Sequence, residues 1–159
     1  MGIFNKLFGN KESSENTEKL NFDILVEKAR NSGSVDDLNE LYKSFFKLEK
    51  LSFIVSNNCD IENPKPFIGI VDEVPWIFAF TDNKKANEYA VEKGNFQTKD
   101  GSTFILVLTL KSAISVFAQL DERGVYGIRI NDGENGWFTK ISGLWDIMSH
   151  LKIENNIKL

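Results

Sequence analysis

A single histidine, His150, and a single cysteine, Cys59, are all the imidazole and thiol this chain of 159 residues possesses. A histidine base needs an orienting partner and a nucleophile, and nothing near His150 in sequence implies either. One thiol and one imidazole are also a poor start for a structural zinc site. Cys59 sits in the polar run Asn57-Asn58-Cys59-Asp60. A reactive thiolate needs a nearby cation or a helix N-terminus to lower its pKa, and the carboxylate of Asp60 acts the other way. The acidic loop Asp132-Gly133-Glu134-Asn135-Gly136 lacks the length and the closing Glu of a calcium loop and reads as a hairpin turn. Gly124 and Gly127 precede a predicted strand, whereas dinucleotide sites place their glycines after one. The carboxylate pairs Asp36-Asp37 and Asp121-Glu122 fall on predicted helices and suit a solvated face. No catalytic residue, metal or cofactor is therefore expected.

The bulk properties narrow the field further. Hydrophobic residues at 42% and charged residues at 26% belong to a globular protein, and the length suits one domain. Thirteen Phe residues are too many for a surface, so most are assigned to a core. The net charge is −4, and the 19 Lys and Arg residues are spread along the chain. Duplex binding needs a concentrated basic face, so nucleic acid is not an expected partner. A lone cysteine cannot form an intramolecular disulfide and suits a reducing compartment. With no secretory pattern and no apolar run long enough to span a bilayer, the cytoplasm is the expected location.

The elements that would position any site follow from periodicity. Residues 1–19 read as a leader. Ile3, Phe4, Leu7 and Phe8 share one helical face and could meet a partner or a membrane surface, although so short a segment has little membrane affinity alone. The rest of the leader is too polar to order itself. Residues 20–159 read as one domain. Phe22, Leu25, Val26 and Ala29 predict a helix over 20–31 that stops at Ser32-Gly33. Ser34, with Asp37 three residues on, opens a second helix striped by Leu38, Leu41, Tyr42 and Phe45. Strands follow at 51–56, 67–71 and 76–81, the last two joined by a turn at 72–75. Thr81 or Asp82 caps a helix that ends at Gly94. Residues 103–109 predict a buried strand, then a helix over 112–123, an alternating strand over 125–131, a short strand over 137–141 and a final helix.

The expected fold class is α+β (mixed α/β): a central mixed sheet with flanking helices and an N-terminal helical hairpin, in the order ααβββαβαββα. The two strand–helix–strand units are expected to make neighbouring parallel strands. Phe78, Phe80, Leu106, Leu108, Phe117, Ile128 and Ile130 are the expected core, and Leu106→Ala is expected to cost about 2–5 kcal/mol.

Three segments carry a family resemblance. They are Trp76-Ile77-Phe78-Ala79-Phe80-Thr81-Asp82 leading into a helix with Ala86 and Ala90, the helix start at Leu110 and Ala113, and Gly124-Val125-Tyr126-Gly127-Ile128-Arg129-Ile130-Asn131. Over residues 51–141 the chain resembles the N-terminal domain of the bacterial SseB family, named for enhanced serine sensitivity. Asp132-Gly133 stands where that family often has Pro-Gly. The resemblance implies a fold and brings no established catalytic residues. Larger members carry a further C-terminal domain, whose place the two N-terminal helices take here.

Three functional readings remain, in this order. The first is a non-catalytic protein-binding or accessory module, by fold analogy toxin-neutralising or secretion-associated. The second is an enzyme using Asp, Glu, Lys and Tyr chemistry alone, and the third is a small-molecule sensor. For the first, the expected partner surface is the hairpin over 131–138. Consecutive Trp137 and Phe138 point to opposite faces of a strand, so one ring can face out beside a polar rim of Arg129, Asp132 and Glu134.

Overall fold

The computed structural model describes residues 21–153. The leader, with Ile3, Phe4, Leu7 and Phe8, and the chain beyond Ile153 lie outside them. The architecture is a mixed α/β fold with a six-stranded central sheet flanked by helices, in the order ααβββαβαββα.

Local chemistry sets the helix ends. Helix α1 (Phe22–Ser32) starts where Asn21 Oδ1 accepts the Asp23 N–H at 3.1 Å. Helix α2 (Val35–Phe45) starts where Ser34 Oγ accepts the Asp37 N–H at 3.1 Å. Asp36 and Asp37 also place negative charge at its positive end. Strands β1 (Lys50–Ile54), β2 (Ile68–Val71) and β3 (Val74–Phe80) follow. Helix α3 (Asn83–Lys93) is capped by Asp82, whose Oδ1 accepts the Lys85 N–H at 2.8 Å. Both α1 and α3 end on a left-handed glycine, Gly33 and Gly94, with φ of 61° and 72°. Then come β4 (Ile105–Thr109), α4 (Leu110–Glu122), β5 (Gly127–Ile130), β6 (Trp137–Lys140) and α5 (Ile141–His150).

The turn between β2 and β3 is tighter than the expected 72–75. It consists of Asp72 and Glu73 alone, both left-handed at φ 50° and 66°, which is the conformation whose twist matches a two-residue hairpin. Val74 and Pro75 belong to the strand, and the Pro75 carbonyl accepts the Tyr126 N–H at 2.9 Å.

Strand order corrects the expected neighbours. The sheet runs β4-β1-β3-β5-β6, with β2 also on β3. β1 and β2 lie end to end along one edge of β3, and β5 lies parallel along the other. β1 is antiparallel to both β3 and β4, so it separates them. The crossover through α3 therefore steps over β1, and the one through α4 steps back over β1 and β3. Neither joins neighbouring strands. Right-handed connections in opposite directions put their helices on opposite faces. One face carries α1, α2, α4 and α5 over Leu51, Phe53, Ile77, Ala79, Ile128 and Ile130. The other carries α3, whose Ala86 and Ala90 pack on Ile54, Trp76, Phe78 and Phe80.

Phe78, Phe80, Phe117, Ile128 and Ile130 are buried as expected. Leu106 and Leu108 are not: they are half-buried and pack against the core from its margin. The reason is topological. β4 ends the sheet, so its apolar run has a neighbour on one side only. Leu38 of the expected helix stripe is also exposed, and α2 buries Leu41, Tyr42 and Phe45 instead.

Candidate functional site

β3 and β5 are the only parallel neighbours among the described strands. Their C-terminal ends are tied together by Asn131. Its N–H donates to the Ala79 carbonyl at 2.9 Å. Its side-chain Oδ1 accepts the Thr81 N–H at 2.9 Å, and its Nδ2 donates to Thr81 Oγ1 at 3.0 Å. An exposed turn at the start of the 131–138 hairpin would leave Asn131 in solvent. It is instead buried and left-handed, at φ 49°, a conformation Asn tolerates better than most residues.

Beyond Asn131 the chain turns through residues 132–136. Arg30 of α1 holds this loop, donating from Nη1 to the Glu134 carbonyl at 3.1 Å and from Nη2 to the Gly136 carbonyl at 2.9 Å. No local signal marks Arg30 for this role, because its partners lie more than a hundred residues away. The loop walls a cleft of about 190 Å³ at the strand ends, with Glu88, Tyr89 and Glu92 of α3 opposite Asp132 and Glu134. Open α/β sheets leave crevices at such strand ends.

Helix α3 packs over β1, β3 and β4, and among the described residues the same sheet face at β5 and β6 stays open. Phe138 stands there, 66% exposed. Its ring meets Trp76 edge-on at 5.7 Å, and Trp76 meets Tyr126 at 5.0 Å. The Arg129 guanidinium lies 5.5 Å from the Trp76 ring and 5.8 Å from the Phe138 ring. Its Nε donates to Asp132 Oδ1 at 2.8 Å, so cation and rings are held in one arrangement. Lys140 lies 5.3 Å from the Tyr126 ring. Gly127 makes this packing possible: a Cβ there would come within 2.5 Å of the Trp76 ring and 2.6 Å of the Thr139 carbonyl oxygen.

The structure thus gathers Arg129, Asp132 and Phe138 on one face and sets Glu134 in the adjoining loop. Trp137 lies on the other face, stacked on Phe22 at 5.8 Å and edge-on to Phe45 at 6.1 Å. Helices α1 and α2 cover it. Trp76, Tyr126, Lys140 and Tyr89 join the site without having been singled out. The alternation of β3 put Trp76 on one side of the sheet, but only the reach of α3 leaves that side open near β6.

The acid–base chemistry of the cleft is muted. Burial first, and then the Asp132 carboxylate, push the Tyr89 phenol up to about 12. Neutral at ordinary pH, Tyr89 is a hydrogen-bond donor rather than a base. Asp132 is paired with Arg129, and Asp23 with Lys85 at 2.7 Å. Elsewhere, His150 is exposed on α5. The Cys59 thiol donates to the Asp60 carbonyl at 3.3 Å. Asp121 Oδ2 accepts the Trp145 indole N–H at 3.2 Å. Among the described residues no group of three or more His, Cys, Asp and Glu could hold a metal ion, and no helix is long and apolar enough to cross a membrane. Compared with known proteins, the chain matches no family model and no curated protein.

Proposed function

We propose that this chain is a non-catalytic protein-binding module of the SseB-like kind, and that its partner seats on the open sheet face around Phe138. The observation that carries this reading is the exposure of Phe138 beside Arg129 and Lys140. A large ring, fixed by Trp76 beneath it and rimmed by cations, has the composition of an interface anchor. The matching partner offers an apolar side chain to Phe138 and carboxylates to Lys140. The segments that carry the SseB resemblance, 76–82 and 124–131, form the adjacent strands that build this surface, which supports the assignment. The chemistry of the cleft also favours binding over catalysis, because Asp132, Asp23 and Asn131 are engaged in ion pairs and a latch.

The test is affinity capture from the native host with the full chain and its Phe138→Ala variant. Phe138 contributes little to the core, so the variant should melt with the wild type. Loss of a partner that the wild type captures is the expected result. Equal capture by both proteins moves the interface elsewhere.

A further inference from the structure

Among the described residues the sheet has three open strand edges, and two of them carry devices that discourage pairing. β2 is four residues long, preceded by Lys65 and Pro66 and followed by the acidic, left-handed turn at Asp72 and Glu73. β6 is also four residues long and carries Lys140. Charge, proline and brevity are the usual protections of an edge. β4 has none of them. It is five residues long, and residues 103–110, Thr-Phe-Ile-Leu-Val-Leu-Thr-Leu, contain no charge, proline or glycine.

The hydrogen-bond parity shows what this edge offers. Leu110 N–H donates to the Glu49 carbonyl at 3.0 Å. Hydrogen-bonded pairs alternate along an antiparallel ladder, so Leu108 and Leu106 turn their backbone groups toward Leu51 and Phe53. Ile105, Val107 and Thr109 turn theirs outward. Val107 is 39% exposed and Phe104 38%. On the helix side, Asn87 accepts the Thr103 hydroxyl at 2.6 Å, and Val91, one turn further along α3, is exposed.

We infer that β4 is a self-association edge, pairing antiparallel with β4 of a second copy of this chain. The occupant follows from charge. In a two-fold pair each residue near the axis meets its own copy, so a charged edge repels itself; this one has no charge to repel. The edges at β6 and β2, with Lys140 or with Asp72 and Glu73, do not share that property. The register that uses the whole strand puts Val107 opposite Val107 and Ile105 opposite Thr109, and joins two six-stranded sheets into one. A junction of two short strands with a thin apolar rim is smaller than the roughly 1,200–2,000 Å² of a standard stable interface. The dimer is therefore expected to dissociate on dilution. It forms at the opposite end of the strand order from β6, so it neither needs nor obstructs the surface at Phe138.

Sedimentation of the full chain across a wide concentration range tests this, with Val107→Lys to place like charges at the axis and Val107→Thr to keep the shape. The expected result is a concentration-dependent dimer whose dissociation constant rises roughly tenfold or more in V107K and stays close to wild type in V107T. Because V107K could also disturb folding, amide exchange of the wild-type chain provides a second reading. The Ile105 and Val107 amides should exchange more slowly as concentration rises. A monomer at every concentration, a dimer indifferent to V107K in folded protein, or concentration-independent exchange at these two amides overturns the inference. Capture of a foreign strand at β4 without self-association overturns it as well.

Discussion

Replacing Asn131 tests whether the ends of β3 and β5 are latched as the structure has them. Asn131→Ala removes the acceptor of the Thr81 N–H and the donor to Thr81 Oγ1. Stranding a part-buried backbone N–H costs about 1–3 kcal/mol. The substitution also puts a Cβ residue without a local polar partner at φ 49°, which costs about 1–2 kcal/mol. Together these predict a loss of about 2–5 kcal/mol, or roughly 4–20 °C in Tm for a chain of this length. Asn131→Gly separates the two contributions. It gives up the side-chain bonds and keeps an easy left-handed backbone, so it should lose only about 1–3 kcal/mol. Urea unfolding of the three proteins, followed by tryptophan fluorescence, measures both steps. An Ala variant within about 0.5 kcal/mol of wild type, the range of an ordinary surface change, would refute the latch. Ala and Gly variants of equal stability would refute the backbone argument while leaving the hydrogen bonds in place.

Two further outcomes follow from burial and charge. Leu106→Ala should cost about 2 kcal/mol, the low end of the range for leucine truncation, because β4 is an edge; Phe53→Ala, fully buried, should cost about 3–5 kcal/mol, and equal losses in urea unfolding would contradict the edge position. Tyr89 is raised from its ordinary 10.0 to about 12, so its contribution to stability is complete below pH 10 and is lost as pH rises through 12. A phenolate absorbance titration should show one late tyrosine, and Asp132→Asn should shift it partway back while burial keeps it above the ordinary value; a titration unchanged by Asp132→Asn would remove the carboxylate from the account.

Much of the fold was legible in local sequence, and for a physical reason. A helix cap is a contact between residues two or three apart. Ser34 to Asp37, a helix start at Thr81 or Asp82, and the glycines at 33 and 94 could therefore be read without any knowledge of the tertiary fold. The strand period of two places Trp76, Phe78 and Phe80 on one face and Ile77 and Ala79 on the other, and it separates Trp137 from Phe138. The candidate surface was legible to the same depth: Arg129, Asp132 and Phe138 could be gathered on one hairpin, but not their partners Trp76 and Tyr126 from other segments.

What periodicity cannot carry is adjacency. An apolar run such as Ile105–Thr109 looks the same in the middle of a sheet as at its end, because its pattern records how greasy its surroundings are and not how many strands flank it. Only the insertion of β1 between β3 and β4 made β4 an edge, exposed Val107 and lowered the cost of losing Leu106. Alternation required that Trp137 and Phe138 part company. Which ring met solvent was decided by the packing of α1 and α2 on one face and by the short reach of α3 on the other. The sequence by itself determined the elements, their order and the two faces of each strand, since those rest on contacts within a few residues. The tertiary structure decided strand order, the latch at Asn131 and the open face at Phe138, since those rest on contacts between segments that local spacing does not relate.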